Sequence, residues 1–214
     1  MKASSMLKEK IVMFPDNGNK RAKSFRGNKS ISDQLLHSLL EKNRNCGLEK
    51  IIPFPIEKID VAEWVRLKCQ FGCSQYGTNW CCPPASPDLV KVRAVLQEYS
   101  QALLLIGSRQ CKDFYLNNAK RRAEKVRSWK EVVGIERQLF LEGYDKAISL
   151  VSGSCALCKK CTYPEACRFP MERRPPVEAF SIDLIGTLKN LGISTPVAQH
   201  TDDLFNYYSI ILLE

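Results

Sequence analysis

Histidine is nearly missing: His37 and His200 are the only two in 214 residues. Neither lies near a cysteine, so surface or core roles are expected of both. No run approaches the roughly eighteen apolar residues of a membrane-spanning helix. The one apolar stretch near the start, Ile11 to Phe14, is too short for the core of a secretory leader. The expectation is a cytoplasmic chain without a membrane partner, in a compartment where thiols stay reduced. A phosphate loop, a dinucleotide fingerprint and a nucleophile elbow are all absent, so no familiar reaction is announced.

Acidic residues are also in short supply, 23 against 32 Lys and Arg, for a net charge of +9. Lys20, Arg21, Lys23, Arg26 and Lys29 fall in a polar arm expected over residues 1–30. A second basic set, Lys120, Arg121, Arg122, Lys125, Arg127 and Lys130, lies on an expected helix. Such charge attracts nucleic acid or an acidic protein, or simply solubilises exposed faces. No nucleic-acid reading motif accompanies it, so nucleic acid is not the expected partner.

Cysteine, by contrast, is abundant and clustered. Eight of the ten cysteines fall in two groups. The first is Cys69, Cys73, Cys81 and Cys82, followed by Pro83 and Pro84. The second is Cys155, Cys158, Cys161 and Cys167. Cys46 and Cys111 lie apart and read as small buried thiols. In a reducing compartment, clustered cysteines point to metal before disulfides.

The apolar pattern is that of an α/β chain. Ser30 or Ser32 can cap a helix carrying Leu35, Leu36, Leu39 and Leu40, closed by Gly47. It forms an N-terminal helical segment over 31–48. Pro53 and Pro55 mark a boundary, and a Cys-rich domain over 49–214 follows. Ile56 to Arg66 reads as extended or mixed. Ser86-Pro87-Asp88 opens a helix with Pro87 at its first position. Ala102 to Gly107 and Ala147 to Ser152 are continuous apolar runs of strand length, buried on both faces. A long or broken helix fills Phe114 to Tyr144, another runs from Pro175 to Leu191 before Gly192, and a last strand covers Asn206 to Leu213. The expected architecture is a small sandwich of helices on a short, mostly buried sheet, with Cys-rich metal-binding loops at strand ends.

In the second group three thiols recur at two-residue gaps, the spacing that wraps three corners of one iron–sulfur cubane in ferredoxins. The fourth, Cys167, comes five residues after Cys161 and precedes Arg168, unlike the ferredoxin run. Lys159, Lys160 and Arg168 can offset the negative charge of a thiolate-bound cluster, or face solvent. The first group reads Cys69-x3-Cys73-x8-Cys82-Pro83, and lacks the run used with S-adenosylmethionine by radical enzymes. Cys81 is either a fourth ligand or a buried neighbour, since adjacent residues on an extended chain point apart. Zinc is the competing metal, but a three-thiol run suits a single tetrahedral ion less well. Tyr76 and Trp80 shield a cluster from water, lie on an electron path, or simply pack the loop. Glu178 and Asp183 read as solvated.

Cys69-Gln-Phe-Gly-Cys73-Ser-Gln-Tyr-Gly-Thr-Asn-Trp80-Cys-Cys82-Pro-Pro84 resembles the signature of an uncharacterised prokaryotic family of predicted metal-binding proteins. Gly153-Ser-Cys155-Ala-Leu-Cys158-Lys-Lys-Cys161 and Cys167-Arg-Phe-Pro170 resemble its second signature, and the likeness spans roughly residues 50–214. The resemblance implies that Cys69, Cys73, Cys82, Cys155, Cys158, Cys161 and Cys167 are metal ligands. It does not ask for cysteine at Cys81, and it supplies no reaction.

Three functions follow. The first is a redox protein with one or two 4Fe–4S clusters that passes electrons to a partner protein. The second is an iron–sulfur enzyme with an open iron site, because seven thiols are one short of filling two clusters. The third is a zinc-stapled module presenting a basic surface.

Overall fold

The structure, a computed structural model, describes residues 30–44, 47–110, 119–195, 199–200 and 202–214, with the side chains of Gln110, Ala119 and Lys120 left aside. The basic arm up to residue 29, Cys46 and Cys111 lie outside the described residues.

Four strands form one antiparallel sheet in the order β1-β2-β4-β3: β1 (Leu48–Pro55), β2 (Gln101–Gln110), β3 (Ile148–Leu150) and β4 (Leu204–Leu213). Its apolar runs alternate between two cores because successive strand side chains point to opposite faces. Ile52, Leu104, Ile210 and Leu150 form one row across all four strands. That row belongs to a core shared with Val92, Leu96, Leu188 and Leu191. Leu103, Leu105, Ile211 and Leu213 face the other way, onto Leu36, Leu39, Trp129, Val133 and Leu139. The sheet is thus covered on both sides, as its continuous apolar runs predict.

Helices α1 (Asp33–Asn43) and α4 (Ala119–Leu141) pack on one face, and α3 (Leu89–Leu96) and α5 (Leu184–Asn190) on the other. Ser32 caps α1, its hydroxyl accepting from the Leu35 N–H at 3.2 Å. Gly143, at φ 84°, ends α4 with bonds from Gly143 N–H to Phe140 and from Tyr144 N–H to Leu139.

Several boundaries differ from the sequence reading. Pro53 and Pro55 lie inside β1, an edge strand, where a missing N–H is tolerated. The segment expected to be extended or mixed before Arg66 turns helical at α2 (Glu63–Gly72). Asp88, rather than Ser86, caps α3, accepting from the Lys91 N–H at 2.8 Å, so Pro87 precedes the helix. The helix expected from Pro175 to Leu191 is two pieces, a 3-10 turn at Glu178–Phe180 and then α5. Ser181 at φ 58° reverses the chain between them, and Asp183 caps α5. No described helix is long and apolar enough to cross a membrane.

Candidate metal centre

The first cysteine group is built at the end of α2 and not at a strand end. Val65 is the buried anchor of this helix, and Arg66 donates to the Pro87 carbonyl at 2.6 Å. Cys69 lies on the helix and Cys73 is its C-cap, in extended conformation. The chain then coils back through turns closed by Tyr76 N–H to Cys73 and Gly77 N–H to Pro83 at 2.8 Å. Gly77 sits at φ 68°, a conformation open to glycine at little cost.

Asn79 organises the adjacent pair. It is 4% exposed, and its Oδ1 accepts from both the Cys81 and Cys82 N–H groups, at 3.0 and 3.1 Å. Both cysteines are buried, yet their thiols go to different places. Cys82 joins Cys69 and Cys73 in lining a cavity of about 450 Å³. Its thiol is pushed up to about 11 by burial, with Cys73 and Cys69 adding, against an opposing hydrogen bond to Asn79. Burial also raises the Cys69 thiol, and Cys73 and Glu178 add to this. Cys81 instead belongs to the core beneath α4, and Cys155 and Phe169 pack at its edge. The Cys81 thiol hydrogen-bonds to Cys155, an arrangement that lowers Cys155 and raises Cys81.

The second group follows β3, as its sequence position predicts. Val151 bridges to Pro176, and Gly153 turns the chain at φ 69°. Residues 152–176 then form a loop lacking helix and strand, so other groups must satisfy its backbone. Helix α4 does much of this. Arg122 donates to the Leu157 carbonyl at 2.9 Å, Lys125 to the Ser154 hydroxyl at 3.2 Å and Trp129 to the Glu172 carbonyl at 2.8 Å. Glu136 forms a two-point ion pair with Arg174 and accepts from the Ser149 N–H at 2.7 Å. Part of the basic helix therefore faces inward, holding the cysteine loop.

Within the loop the Phe169 N–H donates to the Cys167 sulfur at 3.4 Å, and the Leu157 N–H to Cys155. Burial raises the Cys158 thiol; Cys161, Cys155 and Cys167 add to it, while Arg168 opposes. Cys81 feels the charges of Cys155 and Cys167 as well. Cys155, Cys158, Cys161 and Cys167 thus form one neighbourhood with Cys81 at its inner edge. Trp80 joins the two groups. Its indole donates to the Glu165 carbonyl at 2.7 Å, and its ring meets Tyr163 edge-on at 5.0 Å.

Sulfur dominates the donor chemistry, and neither histidine belongs to it. His37 pairs with Glu41 on α1, and His200 lies in a turn closed by Asp203. All eight described cysteines are free thiols. Among the described residues no three histidine, cysteine or carboxylate side chains stand close enough to grip a bare ion. A tetrahedral zinc thiolate site needs sulfurs about 3.8 Å apart, from its Zn–S length of about 2.3 Å.

Sequence reading missed Asn79 and misjudged Glu178. Glu178 lines the first cavity beside Ala179, Ile182 and Leu184, and burial raises its carboxyl. Asn79 gave no sequence signal apart from its place before the cysteine pair. Asp183, also read as solvated, lines that cavity while capping α5.

A family model described as "Predicted metal-binding protein (DUF2284)" matches residues 52–213. No curated protein and no solved structure matches the chain.

Proposed function

We propose, from the premise that this chain belongs to that predicted metal-binding family, that it is an iron–sulfur redox protein with two 4Fe–4S clusters. Cys155, Cys158, Cys161 and Cys167 hold one. Cys69, Cys73 and Cys82 hold the other, leaving an iron without a protein thiolate. The observation that carries this reading is the divergence of the adjacent pair. Cys81 turns to Cys155, so three thiols alone line the first cavity.

When bound, such clusters supply one-electron transfer, and an iron lacking a thiolate supplies a position for a substrate atom. The protein's own residues do the remainder. The first cavity is walled largely by apolar side chains, including Val65, Ile182 and Ile185, and so disfavours water. Asn79 holds the backbone at which Cys82 stays in this set while Cys81 turns to Cys155. Arg122, Lys125 and Trp129 hold the second loop against the core. Because Cys82 of one set is bonded to Cys81, which meets Cys155 of the other, the two sets are joined through one peptide, about 3.8 Å between Cα atoms, and one side-chain contact. The reading calls for a redox partner protein that takes the electrons and for a reducing, cytoplasmic setting.

The run Cys155-x2-Cys158-x2-Cys161 supports cubanes over a single zinc ion, since three thiols at two-residue gaps suit the corners of one cubane better than one tetrahedral ion. Replacing Cys81 by Ser tests the assignment. Anaerobic protein should keep all its iron, and its electron-spin signal should shift when a small ligand such as cyanide is added. Loss of one cluster in that variant would refute the three-thiol site, and colourless protein with stoichiometric zinc would refute the iron reading altogether.

A further inference from the structure

The cavity of Cys69, Cys73 and Cys82 has two chemically distinct ends. The thiols lie at the C-terminal end of α2, with Tyr76 and Pro83 beside them. Val65 stands one helical turn before Cys69. There the chain after the 3-10 turn is pinned to the start of the helix: the Ala62 N–H donates to the Ser181 carbonyl at 2.9 Å, and Val61 bridges to Ile182. Ala179, Ile182, Leu184 and Ile185 join Trp64 and Val65 to make this end apolar. Trp64 and Lys68 are exposed, with the ammonium 4.9 Å over the indole ring, and mark the mouth.

Glu178 stands between the ends, near enough to the thiols that its charge raises Cys69. Its backbone is fixed on both sides. Val177, Ala179 and Phe180 are buried, the Val177 N–H donates to Val151 at 3.1 Å, and the Ser181 N–H closes on the Glu178 carbonyl at 3.0 Å. The carboxyl accepts from its own N–H, and burial raises it. A carboxylate offers about four acceptor positions, so this bond leaves it able to accept from a ligand, and it can accept in either protonation state.

These features select a ligand by charge. An anion would meet Glu178, Asp183 and three thiols, and like charges at close range repel. A cation would exchange water for apolar walls, and the burial that raises Glu178 opposes any charge lodged here. An uncharged molecule with an apolar body and one hydroxyl avoids both costs. The volume, about 450 Å³, falls inside the roughly 300–1,000 Å³ of small-molecule sites.

We propose that this cavity takes a small uncharged alcohol, its hydroxyl donating to the Glu178 carboxyl and its apolar body lying on Val65, Ile182 and Ile185. The inference rests on the three-thiol reading, under which the iron lacking a thiolate makes the bound alcohol a substrate and not only a ligand.

Ligand-detected NMR titration of anaerobically purified protein tests it, with benzyl alcohol and 3-methylbutanol as aromatic and branched probes. Benzyl methyl ether removes the donor, while benzoate and benzylamine carry the two charges. At least one alcohol should bind about tenfold more tightly than all three controls. Glu178→Met should weaken that alcohol about tenfold, the loss of one hydrogen bond to a carboxyl, and leave the ether unchanged. Glu178→Gln keeps a carbonyl acceptor and should restore most of the affinity. If Glu178→Met does not fold, the ratio of alcohol to ether in the parent protein decides. Failure of both alcohols to bind, equal binding of any control, or an affinity unchanged in Glu178→Met would overturn the proposal. Iron counted on the same samples separates the two readings. About eight irons with no alcohol bound overturns the alcohol alone, whereas fewer irons overturns the clusters whatever binds.

Discussion

Cys81 and Cys82 are consecutive, both buried, and face different partners: Cys81 meets Cys155, while Cys82 lines the cavity of Cys69 and Cys73. One side chain sets this divergence, because Asn79 accepts hydrogen bonds from both of their N–H groups. The two substitutions therefore have opposite outcomes. Cys82→Ser should remove the first cluster and leave the second, lowering iron by about half. Cys81→Ser should leave the iron count unchanged but alter the hydrogen bond to a ligand sulfur, which shifts a cluster's potential. Iron analysis with a spectroelectrochemical titration distinguishes them.

Asn79→Ala should destabilise the protein by about 2–3 kcal/mol, because two buried N–H groups lose their acceptor. Asn79→Asp keeps an acceptor oxygen and gives up only the long donations to the Gln75 carbonyl and the Thr78 hydroxyl, so it should recover most of that stability. Denaturant unfolding of both variants against the parent protein checks this. Equal losses would mean that Asn79 acts through its amide nitrogen.

The Glu136–Arg174 pair gives the cysteine loop a pH dependence. Burial pushes the Glu136 carboxyl up, but the hydrogen bonds and charge of Arg174, with Ser149, bring it below its ordinary value of 4.5. A carboxyl lowered by folding stabilises the protein fully above its unfolded value, and that contribution is lost as pH falls through the folded value. Glu136→Ala should cost about 3–5 kcal/mol at neutral pH, the loss on breaking a buried pair. The difference between parent and variant should shrink as pH falls below 4.5. Unfolding measured across that range checks both statements.

Trp80 was read as either a cluster shield or loop packing, and its contacts favour packing. It ties the first group to the second through Glu165 and Tyr163. Trp80→Ala should leave both thiol sets intact but free the outer part of the 152–176 loop. Iron bound there should then be lost to a chelator faster than in the parent, with unchanged initial iron content. Identical loss rates would remove the tie from the account.

Much of the sheet was legible because Ala102 to Ile106 and Ile210 to Leu213 are unbroken apolar runs, which demand burial on both faces. Strand β1 was hidden by Pro53 and Pro55, which look like interruptions until an edge position makes them harmless. Helix α2 was hidden by the exposed Trp64, Leu67 and Phe71, which blur its apolar stripe. The cysteine spacing located both groups. It could not divide Cys81 from Cys82, because that depends on Cys155, more than seventy residues away. The role of Arg122 and Lys125 was equally unreadable, since a basic helix gives no sign of which cations turn inward.

The central claim is two iron–sulfur clusters, one on four thiolates and one on three. Iron, acid-labile sulfide and zinc counted per chain in anaerobically purified protein test it most directly. About eight irons and about eight sulfides, the content of two cubanes, are the predicted result. One zinc ion per chain without sulfide, or iron for only one cubane, would contradict it.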